Sequence, residues 1–223
     1  MPGEERLLVS ELFHSIQGES SFAGMACAFI RLSGCNLRCT YCDARYTSDE
    51  PGRAMGLGEI LDFVRRFPSS LVEVTGGEPL LQDGVYPLME ALLAQGRTVL
   101  LETNGSLDLV RVPAGVRTIV DVKCPGSGMS AHIHRESLGR LAPHAEVKCV
   151  LSSREDYDWA VAFLNGLGLL PTDPGSRPIV HFSPVAGRLD PAQLASWILT
   201  DRLAVRLQLQ LHKILWPGID RGV

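Results

Sequence analysis

Residues 26–47 read ACAFIRLSGCNLRCTYCDARYT, and their character changes at Ser33. The first eight residues form a strand-like apolar run interrupted by Arg31. From Gly34 the chain is polar and holds three cysteines, Cys35, Cys39 and Cys42, inside eight residues. The same change recurs along the chain. LVEVT (71–75) leads into TGGEP, TVLLET (98–103) into ETNGS, and RTIVDVK (117–123) into DVKCPGSG. PIVHFS (178–183) leads into FSPVAG and VRLQLQL (205–211) into LQLHK, while EVKCVL (146–151) is a further strand candidate.

Helical patterns lie between these runs: LGEILDFVRRF (57–67), GVYPLMEALLAQG (84–96), SREDYDWAVAFLNGL (153–167) and PAQLASWILTD (191–201). Leu57, Ile60, Leu61 and Val64 fall on one helical face. Pro191 after Asp190 suits a first helical position behind an acidic N-cap. Strands alternating with helices predict parallel βα units. Six or seven strands are too few for a closed eight-stranded barrel, so an open β/α barrel or a doubly wound sheet remains. In either fold the C-terminal ends of the strands share one side, and the six polar words converge on one mouth.

The chain has 223 residues, 45% apolar and 21% charged, with a formal charge of −4. That suits one well-buried domain over residues 1–223. The balance lacks the clustered basic surface of a general nucleic-acid binder. No apolar run approaches the roughly 20 residues that span a bilayer, and the start, MPGEERLLVSELF, does not read as a signal peptide. A cytoplasmic setting is expected, where clustered thiols bind metal or do chemistry more often than they pair. Cys27, Cys124 and Cys149 lie in or beside apolar runs and read as small buried hydrophobes.

Three readings of the cysteine loop compete. Structural zinc wants four ligands, commonly in two separated knuckles, and no histidine adjoins the loop. A redox pair would use CTYC and leave Cys35 without a role. A cubane iron–sulfur cluster, usually held by four thiolates, fits better: three would leave one iron open to a ligand.

The C-x3-C-x2-C spacing, with Tyr41 before the last cysteine, resembles the signature of the radical S-adenosylmethionine enzymes. TGGEP resembles their Gly-Gly-Glu word. The resemblance extends from about residue 9 to 217. SIQGES, FIRLSGCNLRC, VTGGEPLLQ, LLETNGS, DVKCPGSGM and QLHKILW together resemble the 7-carboxy-7-deazaguanine synthase family. This implies an open β/α barrel with about six core strands. It also implies a 4Fe–4S cluster on Cys35, Cys39 and Cys42, S-adenosylmethionine as a second cofactor, and a pterin substrate. The radical is carried by the cofactor, so no catalytic side chain is assigned.

By position, the resemblance places Tyr41, Cys42 and Asp43 at the adenosyl part, and Gly77 and Glu78 at the methionine part. Asp121, Val122, Lys123, Ser183, Pro184, Val185 and Ala186 fall at further cofactor positions. Ile16, Gln17, Gly18, Glu19, Arg31, Thr75 and His212 fall at or beside substrate positions. Arg31 offers a fork for the pterin's carboxylate. It further implies a homodimer and an external flavodoxin- or ferredoxin-like electron donor, with no nucleic-acid or membrane partner.

Two departures stand out. Many members carry a threonine that helps bind Mg²⁺ where this chain has Ala44, so magnesium is in doubt. Some members end near the position of Pro217, whereas GIDRGV follows here. Two competing readings are a glycyl-radical activating enzyme, which shares the cysteine loop but acts on a large protein, and a binding module with a structural metal.

Overall fold

A computed structural model describes residues 6–173 and 175–223. The first five residues of the stretch read as lacking a signal peptide, and Pro174 in the LLPTDPGSRP loop, lie outside the described residues.

Seven strands form the parallel part of one open sheet: β2 (Ala26–Leu32), β4 (Leu71–Gly76), β5 (Thr98–Thr103), β6 (Arg117–Asp121), β7 (Glu146–Leu151), β8 (Ile179–Pro184) and the short β9 (Arg206–Leu207). Two more, β1 (Arg6–Ile16) and β3 (Arg53–Gly56), extend one edge antiparallel, giving the order β3-β1-β2-β4-β5-β6-β7-β8-β9. This is the expected open parallel β/α barrel, with six parallel strands of five residues or more.

The antiparallel edge was not expected. In β1, Leu7 and Val9 are buried and Leu8 is exposed, a strand alternation that a register shift between Val9 and Glu11 then interrupts. The last strand is shorter than its apolar pattern. Gln208 N–H still donates to Phe182 O, but the Gln208 side chain bonds the backbone of Ser20, and Leu211 N–H turns to Gly18 O. The chain then enters α7 (Leu211–Leu215).

Four helices match the expected patterns to within two residues at each end. They are α2 (Leu57–Arg65), α3 (Val85–Ala94), α5 (Arg154–Gly166) and α6 (Pro191–Thr200). Short helices α1 (Tyr46–Asp49) and α4 (Arg135–Leu138) lie in the loops. Asp190 caps α6 by accepting from Ala192 N–H at 3.1 Å, with Pro191 at the first position. Ser153 caps α5 in the same way.

Side chains alternate across a strand, so each strand feeds two environments. The outer face packs under helices. Val72, Val74, Val99 and Leu101 meet Ile60 and Val64 of α2 and Leu88 and Leu92 of α3. Val120, Val147, Cys149 and Phe182 meet Tyr157 and Leu164 of α5 and Leu194 of α6. Cys27, Cys124 and Cys149 are fully buried, as expected of small hydrophobes. The inner face has a small apolar plug, Phe13, Cys27, Phe29, Leu71, Leu100 and Ile119. Other inner positions near the C-terminal strand ends are polar, and they open on a cavity of about 510 Å³.

Candidate active site

The cysteine loop leaves β2 at Leu32 and crosses the mouth of this cavity. It is pinned from several sides. Gly34 N–H donates to Thr47 O at 2.7 Å, and Glu78 N–H to Gly34 O at 2.8 Å. Thr40 bonds the DVKCPGSG loop twice, through N–H to Ser127 O and through Oγ1 to Gly126 O. The Tyr41 hydroxyl donates to Val150 O at the end of β7. Cys35, Cys39 and Cys42 all line the cavity, and all three are unpaired. Burial pushes the Cys39 and Cys42 thiols up, against the pull of Lys123. Cys35 Sγ already receives Leu37 N–H at 3.4 Å and the Asn104 amide at 3.8 Å.

Three free thiols of one short loop on the cavity wall fit the ligand set of an iron–sulfur cluster with one iron left for another ligand. The TGGEP turn lies directly against the loop: a Cβ on Gly77 would sit 2.2 Å from Gly34 O and 2.7 Å from Cys35 Cβ. Only glycine allows that approach. Asp121 Oδ1 is buried at the cavity without a hydrogen-bond partner among the described residues, an acceptor suited to a bound cationic or hydroxyl ligand.

Beside the cysteine loop, the Gln-Gly-Glu and His-Lys words meet. A Cβ on Gly18 would lie 2.5 Å from His212 Nδ1, so α7 packs on a position that only glycine leaves open. His212 Nε2 and Lys213 Nζ each stand 3.8 Å from Asp43 Oδ2. Burial would raise the Asp43 carboxyl, but these two groups and Arg31 hold it well below the usual carboxylate range. Gln17 donates its side-chain amide to Glu73 and accepts Glu19 N–H at 3.1 Å.

The chain matches the radical SAM superfamily model over residues 29–139. The 7-carboxy-7-deazaguanine synthase of Chlorobaculum tepidum is 48% identical, with both chains covered completely. That of Koribacter versatilis is 44% identical over 96% of this chain and 99% of its own. The chain belongs to the 7-carboxy-7-deazaguanine synthase family. It is therefore an enzyme of the radical S-adenosylmethionine type, whose chemistry implies a 4Fe–4S cluster and S-adenosylmethionine. QueE from Escherichia coli superposes with a TM-score of 0.72 at 24% identity, covering 92% of this chain and 94% of that one, a likeness of fold.

Most positions that the family resemblance singles out face the cavity. Ile16, Gln17, Gly18, Glu19, Arg31 and Thr75 line it on one side. Tyr41, Asp43, Gly77, Asp121, Lys123, Val185, Ala186 and His212 line it as well. Four do not. Val122 packs in the outer apolar cluster, and Ser183 and Pro184 are buried, Ser183 Oγ donating to Gln208 O at 2.8 Å. Glu78 is fully buried, and its carboxylate accepts from Leu80 N–H, Thr103 Oγ1 and Asn104 N–H at 3.1, 2.9 and 2.7 Å. It ties the TGGEP turn to the end of β5.

The cavity wall also carries three charges given no role from the sequence: Glu73, Glu102 and Lys148. Lys148 Nζ lies 2.8 Å from Glu19 and 3.5 Å from Asp121, and is paired with Glu102. Burial opposes charge there, yet Glu102, Glu19 and Asp121 hold the ammonium well above its ordinary range. Burial would also raise Asp121, but Lys123 and Lys148 keep it low. Burial and the nearby Glu102 push Glu73 up to about 8, against the pull of Gln17 and Arg31. A signal for these residues exists in the sequence. A charged residue inside the apolar runs LVEVT, TVLLET and EVKCVL is out of place in a parallel strand covered on both faces.

Proposed function

We propose that this enzyme converts 6-carboxy-5,6,7,8-tetrahydropterin to 7-carboxy-7-deazaguanine with loss of ammonia, supplying the core of queuosine and related 7-deazapurines. One observation carries the reading: the cysteine loop, Arg31 and the paired Gln-Gly-Glu and His-Lys words share a single cavity. When bound, the cluster and S-adenosylmethionine would supply radical hydrogen-atom chemistry at C6 of the pterin, with S-adenosylmethionine used catalytically. The protein's own work is placement, charge and exclusion of water. Cys35, Cys39 and Cys42 hold the cluster. Tyr41 and Asp43 face the adenosyl part, and Gly77 lets the backbone approach the methionine part. Asp121, Lys123, Val185 and Ala186 complete the cofactor side, while Glu78, Val122, Ser183 and Pro184 act from behind it as support.

Arg31 takes the substrate's carboxylate. Gln17, Gly18, Glu19 and Thr75 take the polar edge of the pterin, with Ile16 and His212 closing the same side. Lys148 keeps Glu19 ionised as an acceptor for pterin N–H groups. Buried pairing of this kind discriminates strongly against analogues that lack a group.

The residues do not fit a magnesium site beside the cysteine loop. Ala44 has no ligand oxygen, and Asp43 is already faced by His212 and Lys213. No step is assigned to Mg²⁺. The electron comes from an external flavodoxin- or ferredoxin-like carrier, and the enzyme works as a homodimer in the cytoplasm. Family membership supports these points, and among the described residues no helix is long and apolar enough to cross a membrane.

The test is anaerobic incubation of iron-reconstituted protein with a reductant, S-adenosylmethionine and the carboxytetrahydropterin, followed by mass analysis. The expected result is a product lighter by ammonia, without net consumption of S-adenosylmethionine and without any partner protein. About four irons per chain should accompany activity. One zinc per chain, with no iron taken up and no pterin consumed, would overturn the proposal.

A further inference from the structure

We propose that Glu11 is the positioning residue for the substrate's carboxylate, acting through Arg31. The inference rests on the reading of Arg31 above and adds the device that aims it. Glu11 lies on β1, the antiparallel strand outside the β/α repeat, beside β2, which carries Arg31. One oxygen, Oε1, accepts from Arg31 Nε at 2.8 Å and from the Tyr46 hydroxyl at 2.6 Å. The other, Oε2, accepts from Gly222 N–H at 3.1 Å. Three donors from three parts of the chain thus fix one carboxylate: β2, α1 and the segment beyond Pro217.

The contact uses the Nε edge of the guanidinium. The fork of terminal nitrogens, which binds a carboxylate bidentately, is a different edge of the same rigid plane. Holding Nε therefore sets the direction of the fork. Phe13, stacked on Phe29 with ring centres 4.6 Å apart, supports the guanidinium from 5.5 Å. The segment beyond Pro217 is itself anchored. Arg221 pairs with Glu50 and lies 4.3 Å over the Tyr46 ring, while Ile219, Asp220 and Val223 line the cavity. Glu11 thus links the carboxylate fork to a segment that covers the substrate side.

The decisive measurement is affinity, by calorimetry on iron-reconstituted enzyme without reductant, for the carboxytetrahydropterin and for tetrahydropterin lacking the carboxylate. Glu11→Gln keeps the size of the side chain and removes its charge. It should weaken the carboxylated ligand about tenfold and leave the other unchanged, as for a lost charge-assisted bond. KM should rise by a similar factor with kcat little altered. Tyr46→Phe and Arg221→Ala loosen Glu11 and the segment that holds it without touching Arg31, and should each lower the same discrimination by about threefold. These two variants decide the matter if Glu11→Gln fails to fold. Arg31→Gln separates the two levels. If it leaves discrimination intact, the carboxylate reading of Arg31 fails. If it abolishes discrimination while Glu11→Gln, Tyr46→Phe and Arg221→Ala do not change it, the role of Glu11 alone is refuted.

Discussion

The two faces of this sheet are made by the same strands, one residue out of phase. In β4, Val72 and Val74 pack under α2 and α3, while Glu73 and Thr75 line the cavity. In β7, Val147 and Cys149 pack under α5, while Lys148 lines the cavity. The outer face contributes to stability through apolar burial. The inner face takes on buried charge and partial opening to solvent, which stabilise nothing by themselves. That division explains why the site's residues are the exceptions in otherwise apolar strands.

The division is most sharply tested at the mouth. Cys39→Ala should abolish cluster binding and product formation, because two thiolates remain where three are needed. The loop crosses the cavity and contributes little to either apolar cluster, so the fold should survive. Iron content and a circular-dichroism melt check this. Loss of iron together with collapse of the melt would show that the loop also holds the barrel.

The next test crosses from one face to the other. Leu101→Ala on the outer face, where Leu101 is fully buried, should cost about 2–5 kcal/mol of stability and leave turnover per folded molecule unchanged. Lys148→Met on the inner face should cost a similar amount, about 3–5 kcal/mol, because Glu19, Glu102 and Asp121 would lose their shared cation. It should also lower turnover, since Glu19 would no longer be held as an acceptor. Denaturant melts paired with activity per folded molecule separate the outcomes. Equal stability of Lys148→Met and the parent would mean that the inner charges are better solvated than their burial implies.

The two faces were not equally legible in the sequence. The outer face announced itself, because apolar runs and one-sided helices recur with regular breaks, and six parallel strands and four helices follow from them. The mouth was legible where its words break a pattern, as in the three cysteines and the double glycine. The inner face was harder, because Glu73, Glu102 and Lys148 look like isolated interruptions until neighbouring strands bring them together. β1 was missed because its register shifts between Val9 and Glu11, which breaks the alternation, and that break is the site's business: Glu11 serves Arg31. Glu78 is the converse case: the Gly-Gly-Glu word suggested a ligand contact, and three donors around its carboxylate also make it a brace for the turn.

A smaller effect distinguishes the inner charges from one another. Glu73 has its pKa raised from an ordinary 4.5 to about 8 by burial and by Glu102, so the folded form holds a proton that the unfolded chain releases. The native state then binds more protons than the unfolded state between those values, and stability falls as pH rises through that window and levels above about 8. Glu73→Gln should remove this slope. Denaturant midpoints at several pH values, parent against variant, should converge at the acid end and separate in the variant's favour near pH 8. Parallel curves would place the carboxyl's titration elsewhere.

The smallest expected effect concerns Ala44, where the family resemblance implies a threonine. With Ala44 supplying no oxygen, a chelator that removes free Mg²⁺ should change turnover by less than about twofold. Ala44→Thr restores a hydroxyl next to Asp43, and the variant's turnover or substrate affinity should then rise with added Mg²⁺. The pair of titrations, parent and variant across the same Mg²⁺ range, carries the argument. A parent enzyme that loses most of its turnover on chelation and regains it only with Mg²⁺ would show that water and the Asp43 carboxylate suffice to hold the ion. Asp43 would then have to be shared between the ion and the His212–Lys213 pair, and the electrostatics of the mouth would need to be redrawn around that cation.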